Sequence, residues 1–470
     1  MKDRRVAPVA RRMARPAIAA GAAAVALIAS SAAASDDPPV YQRGQAGSIL
    51  GTPSQVVKDA MAVRILESRA MQKAIKALDK IYRENPIAAM PDALTTIDQA
   101  VQATAMSQAV GVVNKDPDRP DAYWAVTAPH YWGDLQVPLA GLMVDNTDNI
   151  YRTIPVDGAA SYEIRGRVTG LGPAQETFIL HHETSGATAN QEVKNNEPEA
   201  DSVFLNHLTL APDGSFTITV DASPANGRIN HIQTDPARQG SNVVVRDTVS
   251  DWSRENPVTI EVQRLSGPPV QPVRTEAELA ARAAAQMLTV GDYWLKWAHK
   301  VFYSKPVNSY THAFDRVSGW GFVKCGHYRI ADDEALVFHL ERRQAAYLGF
   351  QLSDSWGQGQ APHYIERTGS LNGSQARANG DATYSYVIAP ADPGVHNWLD
   401  TGGLHAGTFC TRWQNLPPGV NTTGAVKEVK VVKVADLRQA LPPETVWVTP
   451  AERQAQREAH ISAFARRLGN

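Results

Sequence analysis

Apolar residues recur at helical spacing over the first part of the chain and at alternating spacing over much of the rest, and this change of period sets the expected architecture. Thr52, Pro53, Ser54 and Gln55 form a helix start: a threonine cap, proline at the first helical position and glutamine three residues after the cap. Val57, Met61, Ile65 and then Met71, Ile75, Leu78 and Tyr82 predict one long amphipathic helix to Arg83. A second helix is expected over 92–110. From Tyr151 the period falls to two. Tyr162, Ile164 and Gly166 alternate with Glu163, Arg165 and Arg167, and short apolar runs follow at 178–182, 203–208, 216–220, 243–245 and 258–262. Turn residues such as Pro212, Asp213 and Gly214 separate them.

A proline-rich linker at 267–272 leads to Thr275 and Glu278, a capping box. The alanine-rich helix it opens carries Trp294, Trp297, Ala298, Val301 and Phe302 on one face, which is expected to pack on a sheet. Strand patterns return at 322–330, 335–340, 346–352, 383–388, 408–413 and 426–434. Thr449 and Glu452 then open a terminal helix bearing Ile461, Phe464 and Leu468. The expected fold is therefore α+β and β-rich, with two antiparallel β-sandwich or jelly-roll-like blocks flanked by helical segments. The boundaries fall at 35–140 for a helical region, 141–270 for a first sandwich, 271–306 for a helical connector and 307–470 for a second sandwich with its terminal helix.

The first 34 residues change where this body is expected to work. Lys2, Arg4, Arg5, Arg11, Arg12 and Arg15 precede a run of alanine, valine, isoleucine and leucine that ends at Ala32, Ala33 and Ala34. A basic segment, an apolar segment and small residues at its end make a signal peptide, with cleavage expected after Ala34 and a periplasmic or secreted destination. The Arg11–Arg12 pair admits the twin-arginine route. Cleavage removes six basic residues and one acidic residue, taking the net charge from −2 to about −7 and leaving no basic stripe for nucleic acid. No stable membrane span is expected after cleavage. In an oxidising compartment the two cysteines, Cys325 and Cys410, can bridge; the alternative is two separate buried thiols.

The C-terminal block holds Leu371, Asn372, Gln375, Ala376, the run from Asp392 through His396, Asn397, Trp398, Leu399 and Asp400 to Thr401, then Gly407, Arg412 and Trp413. This resembles the signature end of the bacterial domain-of-unknown-function family twelve-fourteen. Asp145, Asn146, Asp148, Asn149, Tyr151 and Arg152 resemble the segment opening the β region in its longer members, and the likeness covers about 140–465. It implies an extracytoplasmic jelly-roll sandwich and supplies no established activity or catalytic residue set.

Two polar clusters are candidates for chemistry. In one, Asp145 and Asp148 offer oxygen ligands to a divalent ion, and Asn149, Tyr151 and Arg152 offer contacts to a polar substrate; Asx-rich turns also form for purely local reasons. In the other, Pro393 and Gly394 hold His396, Asn397, Trp398 and Asp400 on a fixed loop. Trp398 and Trp356 suit a ring, Asn397 suits its hydroxyls, and His396, Asp400, Asp354 and Arg412 suit acid–base work and substrate orientation. The competing account has Trp398 plugging the sandwich and Asn397 tying the turn. His181, His182, His327, His339 and His363 lack metal-ligand spacing, although the last three could converge. No GxSxG elbow or glycine-rich phosphate loop is present, so no nucleotide cofactor is expected. The leading expectation is an exported hydrolase or lyase acting on a small aromatic, terpenoid-like or sugar-like compound. The alternatives are a non-catalytic binding protein and a metal-stabilised envelope protein. An enzyme should gather His396, Asp354 and Arg412 around one pocket.

Overall fold

Thr52 caps the first helix as its sequence predicts, its Oγ1 accepting from Gln55 N at 3.1 Å, but the helix stops at Glu67. In this computed structural model, residues 39–470 are described apart from 183–203, 206–207, 239, 312, 316–320, 360–362 and 421–422. The expected signal segment lies outside the described residues. Helices α1 (Pro53–Glu67) and α2 (Arg69–Glu84) replace the single long helix expected here. Ser68 sits between them in an extended conformation, and its hydroxyl caps α2 at Met71 N. Serine bonds its local backbone outside a helix as readily as within one, and the apolar spacing continued across the break, so periodicity alone bridged it. The buried face of α1 also differs from expectation. Val57 is 63 % exposed, while Gln55, Asp59, Ala62, Ile65 and Leu66 are buried. Asp59 is held there by Tyr123 Oη at 2.5 Å and Trp132 Nε1 at 2.7 Å.

Helix α3 (Ala93–Val113) and helix α4 (Glu276–Ala298) complete a helical layer. The Thr275–Glu278 capping box opens α4 as predicted; α4 itself packs on α1, α2 and α3, and the expected packing on a sheet is met only by its continuation at His299–Tyr303, where Val301 and Phe302 are buried beside the Gly321–Arg329 strand. Gly291 is the reason for its close fit, because a Cβ there would stand 2.3 Å from Leu78 Cδ1. Trp294 and Trp297 form an edge-to-face series that reaches Phe302, Tyr303 and finally His327 on the second β block.

The first β block is a sandwich. One sheet runs in the order His231–Gln233, Ser215–Asp221, Ser161–Arg167, Thr259–Ser266, and the other in the order Tyr123–Val126, Asn149–Val156, Ser241–Thr248, Gln175–His182, Phe204–Leu205. Ile154, Ile164, Phe178, Ile218 and Val243 fill the space between them, the inward positions of the period-two pattern. Gly166 pairs with Phe216 on one side and Ile260 on the other. A Cβ at Gly166 would lie 2.3 Å from Phe216 Cζ and 2.5 Å from the Thr259 carbonyl oxygen. Gly166→Ala is therefore expected to cost about 1–3 kcal/mol through overpacking against backbone, read as a lower urea midpoint at unchanged slope.

The second block faces a sheet built on Gly321–Arg329, Ala406–Gln414 and Tyr347–Ser353 against one built on Thr383–Ala389, Glu334–Glu341 and Val426–Lys433. Phe338, Phe350, Tyr386, Phe409 and Trp413 pack between them. Most pairings are antiparallel; Trp398–Asp400 joins its sheet in parallel beside Thr383–Ala389. Cys325 and Cys410 are directly opposed in register and form a disulfide, settling the choice left open by the sequence. The terminal helix α5 (Pro450–Ala465) begins at the predicted Thr449–Glu452 capping box.

Candidate functional site

The segment from Asp145 to Asn149 lies where the two β blocks meet. Asp148 is fully buried; Oδ1 accepts from Trp252 Nε1 at 2.6 Å and Asn372 Nδ2 at 3.0 Å, and Oδ2 from Tyr347 Oη at 2.6 Å. Burial pushes its carboxyl above the ordinary range, against the Tyr347 bond and the nearby Arg467 charge. Asp145 Oδ2 accepts from Leu142 N at 2.8 Å, and burial raises this carboxyl too, opposed by that bond and by Arg412 and Arg246. Protein donors thus occupy both Asp148 oxygens and one of Asp145's, and Asp148 acts as a joint between the blocks. Asn149 Oδ1 accepts from Asn146 Nδ2 and Thr248 Oγ1, and Tyr151 Oη accepts from Asn146 N at 2.9 Å. Arg152 is buried in the first sandwich, bonded to Asp247 at 2.5 Å and to the Val258 carbonyl at 2.8 Å.

The four residues expected to do acid–base work are not brought together. Asp354 accepts from Trp356 N and Gln358 N and shapes a buried turn, while the Trp356 indole donates to the Ala93 carbonyl at 2.8 Å and stacks on Tyr82. Arg412 donates to the Val144 carbonyl beside Asp145. Asp400 accepts from Gly402 N at 2.8 Å and receives Arg367 and Arg457 at 3.3 and 3.4 Å. Trp398 is buried, with its indole donating to the Ala389 carbonyl, and Asn397 ties Arg377 and Ser385 backbone groups. For these two, the plug and the turn tie are what the geometry shows.

Of the expected residues, His396 opens on a sizeable groove, while Asp145 and Asn149 line a small one. His396 lines a groove of about 490 Å³ between α5, the 250–253 turn and the 374–377 turn, together with Trp252, Trp447, Arg377, Glu452 and His460. Nδ1 lies 3.2 Å from Asn397 Oδ1, and burial holds the imidazole below its ordinary value despite that bond, which favours the neutral ring. The predicted proline–glycine turn is fixed from α5: Arg453 bonds Asp392 at 2.9 Å and the His396 carbonyl at 3.2 Å. Trp447 is half-buried and carries Arg438 over its ring at 4.1 Å. Sequence reasoning missed Trp252, Trp447, Arg377 and His460. Both tryptophans stand in irregular segments, where no period marks them.

Among the described residues, no group of three or more His, Cys, Asp and Glu side chains is placed to hold a metal ion. His327 bonds the Lys305 carbonyl, and His339 bonds Ser385 and Thr383. The side chains of His182 and His363 lie outside the described residues. No described helix is long and apolar enough to cross a membrane.

No protein-family model and no curated protein matches this chain. Among solved structures it is similar to an uncharacterized protein from Burkholderia cenocepacia, at 22 % identity and a TM-score of 0.61, over 80 % of this chain and 99 % of that one. It is also similar to a protein from Vibrio parahaemolyticus, at 9 % identity and a TM-score of 0.36, over 62 % and 90 % of the two chains. The Burkholderia likeness shows the fold.

Proposed function

We propose that this chain is an exported, non-catalytic binding protein, a member of family twelve-fourteen, whose ligand is a sugar-like or aromatic ring compound held in the groove beside α5. The observation that carries this reading is the convergence of two indoles, a neutral-leaning imidazole and the Arg377 and Glu452 charges on one groove of about 490 Å³. That volume suits one small ligand, with the half-buried Trp447 indole for a ring and a few polar groups for its orientation. A hydrolase or lyase reading draws less support, because only His396 of the four acid–base residues lines the groove. Export is supported by the Cys325–Cys410 bridge, a bond characteristic of oxidising compartments.

Titration of the protein with monosaccharides and aromatic carboxylates, followed by tryptophan fluorescence and melting temperature, tests this. A true ligand at a hundred times its Kd stabilises the fold by about 2.7 kcal/mol. Trp447→Ala should weaken it about tenfold, the loss of one aromatic contact. A hit insensitive to both Trp447→Ala and His396→Ala would put the ligand elsewhere, and turnover of the compound would replace binding by catalysis.

A further inference from the structure

A larger cavity, of about 1070 Å³, lies on the other side of the first sandwich, between α1, the turn after α3, the strand ends at 155–157 and 240–242, and the linker into α4. The exposed edge of α1 opens on it: Val57, whose apolar spacing promised a core position, lines this cavity instead, and Met61, packed against the core, lines it too, with Val113 and Leu279. Lys58 lines the same cavity. Its side chain is only 18 % exposed, and Nζ stands 2.7 Å from Asn114 Oδ1 and 3.1 Å from Asp121 Oδ2. Ser54 Oγ donates to Asp121 and fixes that carboxylate.

We infer that Lys58 is a carbonyl-capturing amine, forming a reversible imine with an aldehyde or ketone whose apolar body occupies this cavity. In the neutral amine both N–H bonds go to Asn114 and Asp121, so the lone pair is the part of the nitrogen left for an incoming carbon. Burial pulls the ammonium below its ordinary value, against the Asp121 and Asp116 charges that hold it up. The other charges facing the cavity are Lys115, Asp118 and Arg119 on the same turn, Asp157 at the strand end, and Arg274 and Arg282 across it. The step is redox-neutral. The nitrogen pair adds to the carbonyl carbon and the carbonyl π pair moves to oxygen. Asp121 passes two protons in turn from nitrogen to that oxygen, the first making the carbinolamine hydroxyl and the second carrying it off as water while the nitrogen pair closes the C=N bond. The apolar wall of Val57, Met61, Val113 and Leu279 selects a hydrocarbon-bearing carbonyl compound.

Octanal is the probe: the protein is incubated with it at pH 7, reduced with borohydride, digested and mapped by mass spectrometry. Lys58 should carry the octyl group at least about tenfold more than Lys80, whose side chain is 74 % exposed. Lys58→Arg should abolish that label at an unchanged melting temperature. Asp121→Asn removes the proton relay along with a charge that holds the ammonium, so labelling at Lys58 should slow even as its pH midpoint moves down, a combination that a merely structural lysine would not show. Equal labelling of Lys58 and Lys80, or labelling of both over the same alkaline range in the native chain and in Asp121→Asn, would overturn the inference.

Discussion

Asp148→Ala is expected to destabilise the protein by about 3–5 kcal/mol, whereas Asp148→Asn should cost about 1 kcal/mol. The alanine leaves the Trp252 indole, the Asn372 amide and the Tyr347 hydroxyl without their acceptor in a site closed to water. Unpaired buried donors each cost about 1–3 kcal/mol, partly offset because the buried charge also disappears. The asparagine variant keeps one carbonyl oxygen for Trp252 and Asn372. Its new NH₂ faces Tyr347, whose hydroxyl can accept from it while donating to Asn146 Oδ1, 3.1 Å away. Denaturant titration of both variants separates lost hydrogen bonds from lost charge.

The same residue gives the pH dependence its sign. The folded carboxyl of Asp148 titrates above its unfolded value because burial disfavours the charged form, and Asp145 shares this direction. The folded state therefore binds protons more tightly, and this contribution to stability is full below the unfolded value near 3.8 and lost as pH rises through the raised folded value. Asp148→Asn should flatten that part of the pH profile just above the ordinary carboxylate range. A native profile that rises with pH there, and is unchanged by the substitution, would contradict the assignment.

What the chain discloses in advance is local. The caps at Thr52, Thr275 and Thr449 each need only a few neighbouring residues, and each is found where expected. The period-two runs place the sandwich strands for the same reason, since alternation records which face is buried. The seam is a different matter. Asp148 and Tyr347 are 199 residues apart in the chain, and nothing in either neighbourhood announces the other. The groove is equally non-local: Trp252, His396, Trp447 and His460 come from separate turns and a helix. Arg453 shows the limit of amphipathic patterns. It falls on a helix whose expected apolar positions are Ile461, Phe464 and Leu468, yet it is itself buried, spent on Asp392 and two backbone carbonyls. Where polar residues are buried in pairs, hydropathy hides them, and those pairs decided which predicted residues became joints and which reached a cavity.

Replacing both cysteines by alanine should lower stability by about 4–5 kcal/mol while leaving the folded structure nearly unchanged. Cys325 and Cys410 face each other on strands already joined by a backbone ladder, so the bridge adds little to the native state that the ladder does not supply. Its effect lies in the unfolded chain, where it closes a loop between residues 85 apart in sequence, and chain entropy at that length corresponds to about 4–5 kcal/mol. Freed from the loop, the unfolded chain exposes more surface, so the denaturant slope should rise as the midpoint falls. A lower midpoint at constant slope would place the loss in the folded state instead, as a cavity in the apolar cluster that holds both sulfurs. Both sulfurs are buried, so reductant should act on the native protein only as fast as the sheet opens, and a mild denaturant should accelerate reduction. Protein made in a reducing compartment should accordingly resemble the double-alanine variant in stability, and the oxidised form should recover the full difference once the bridge closes.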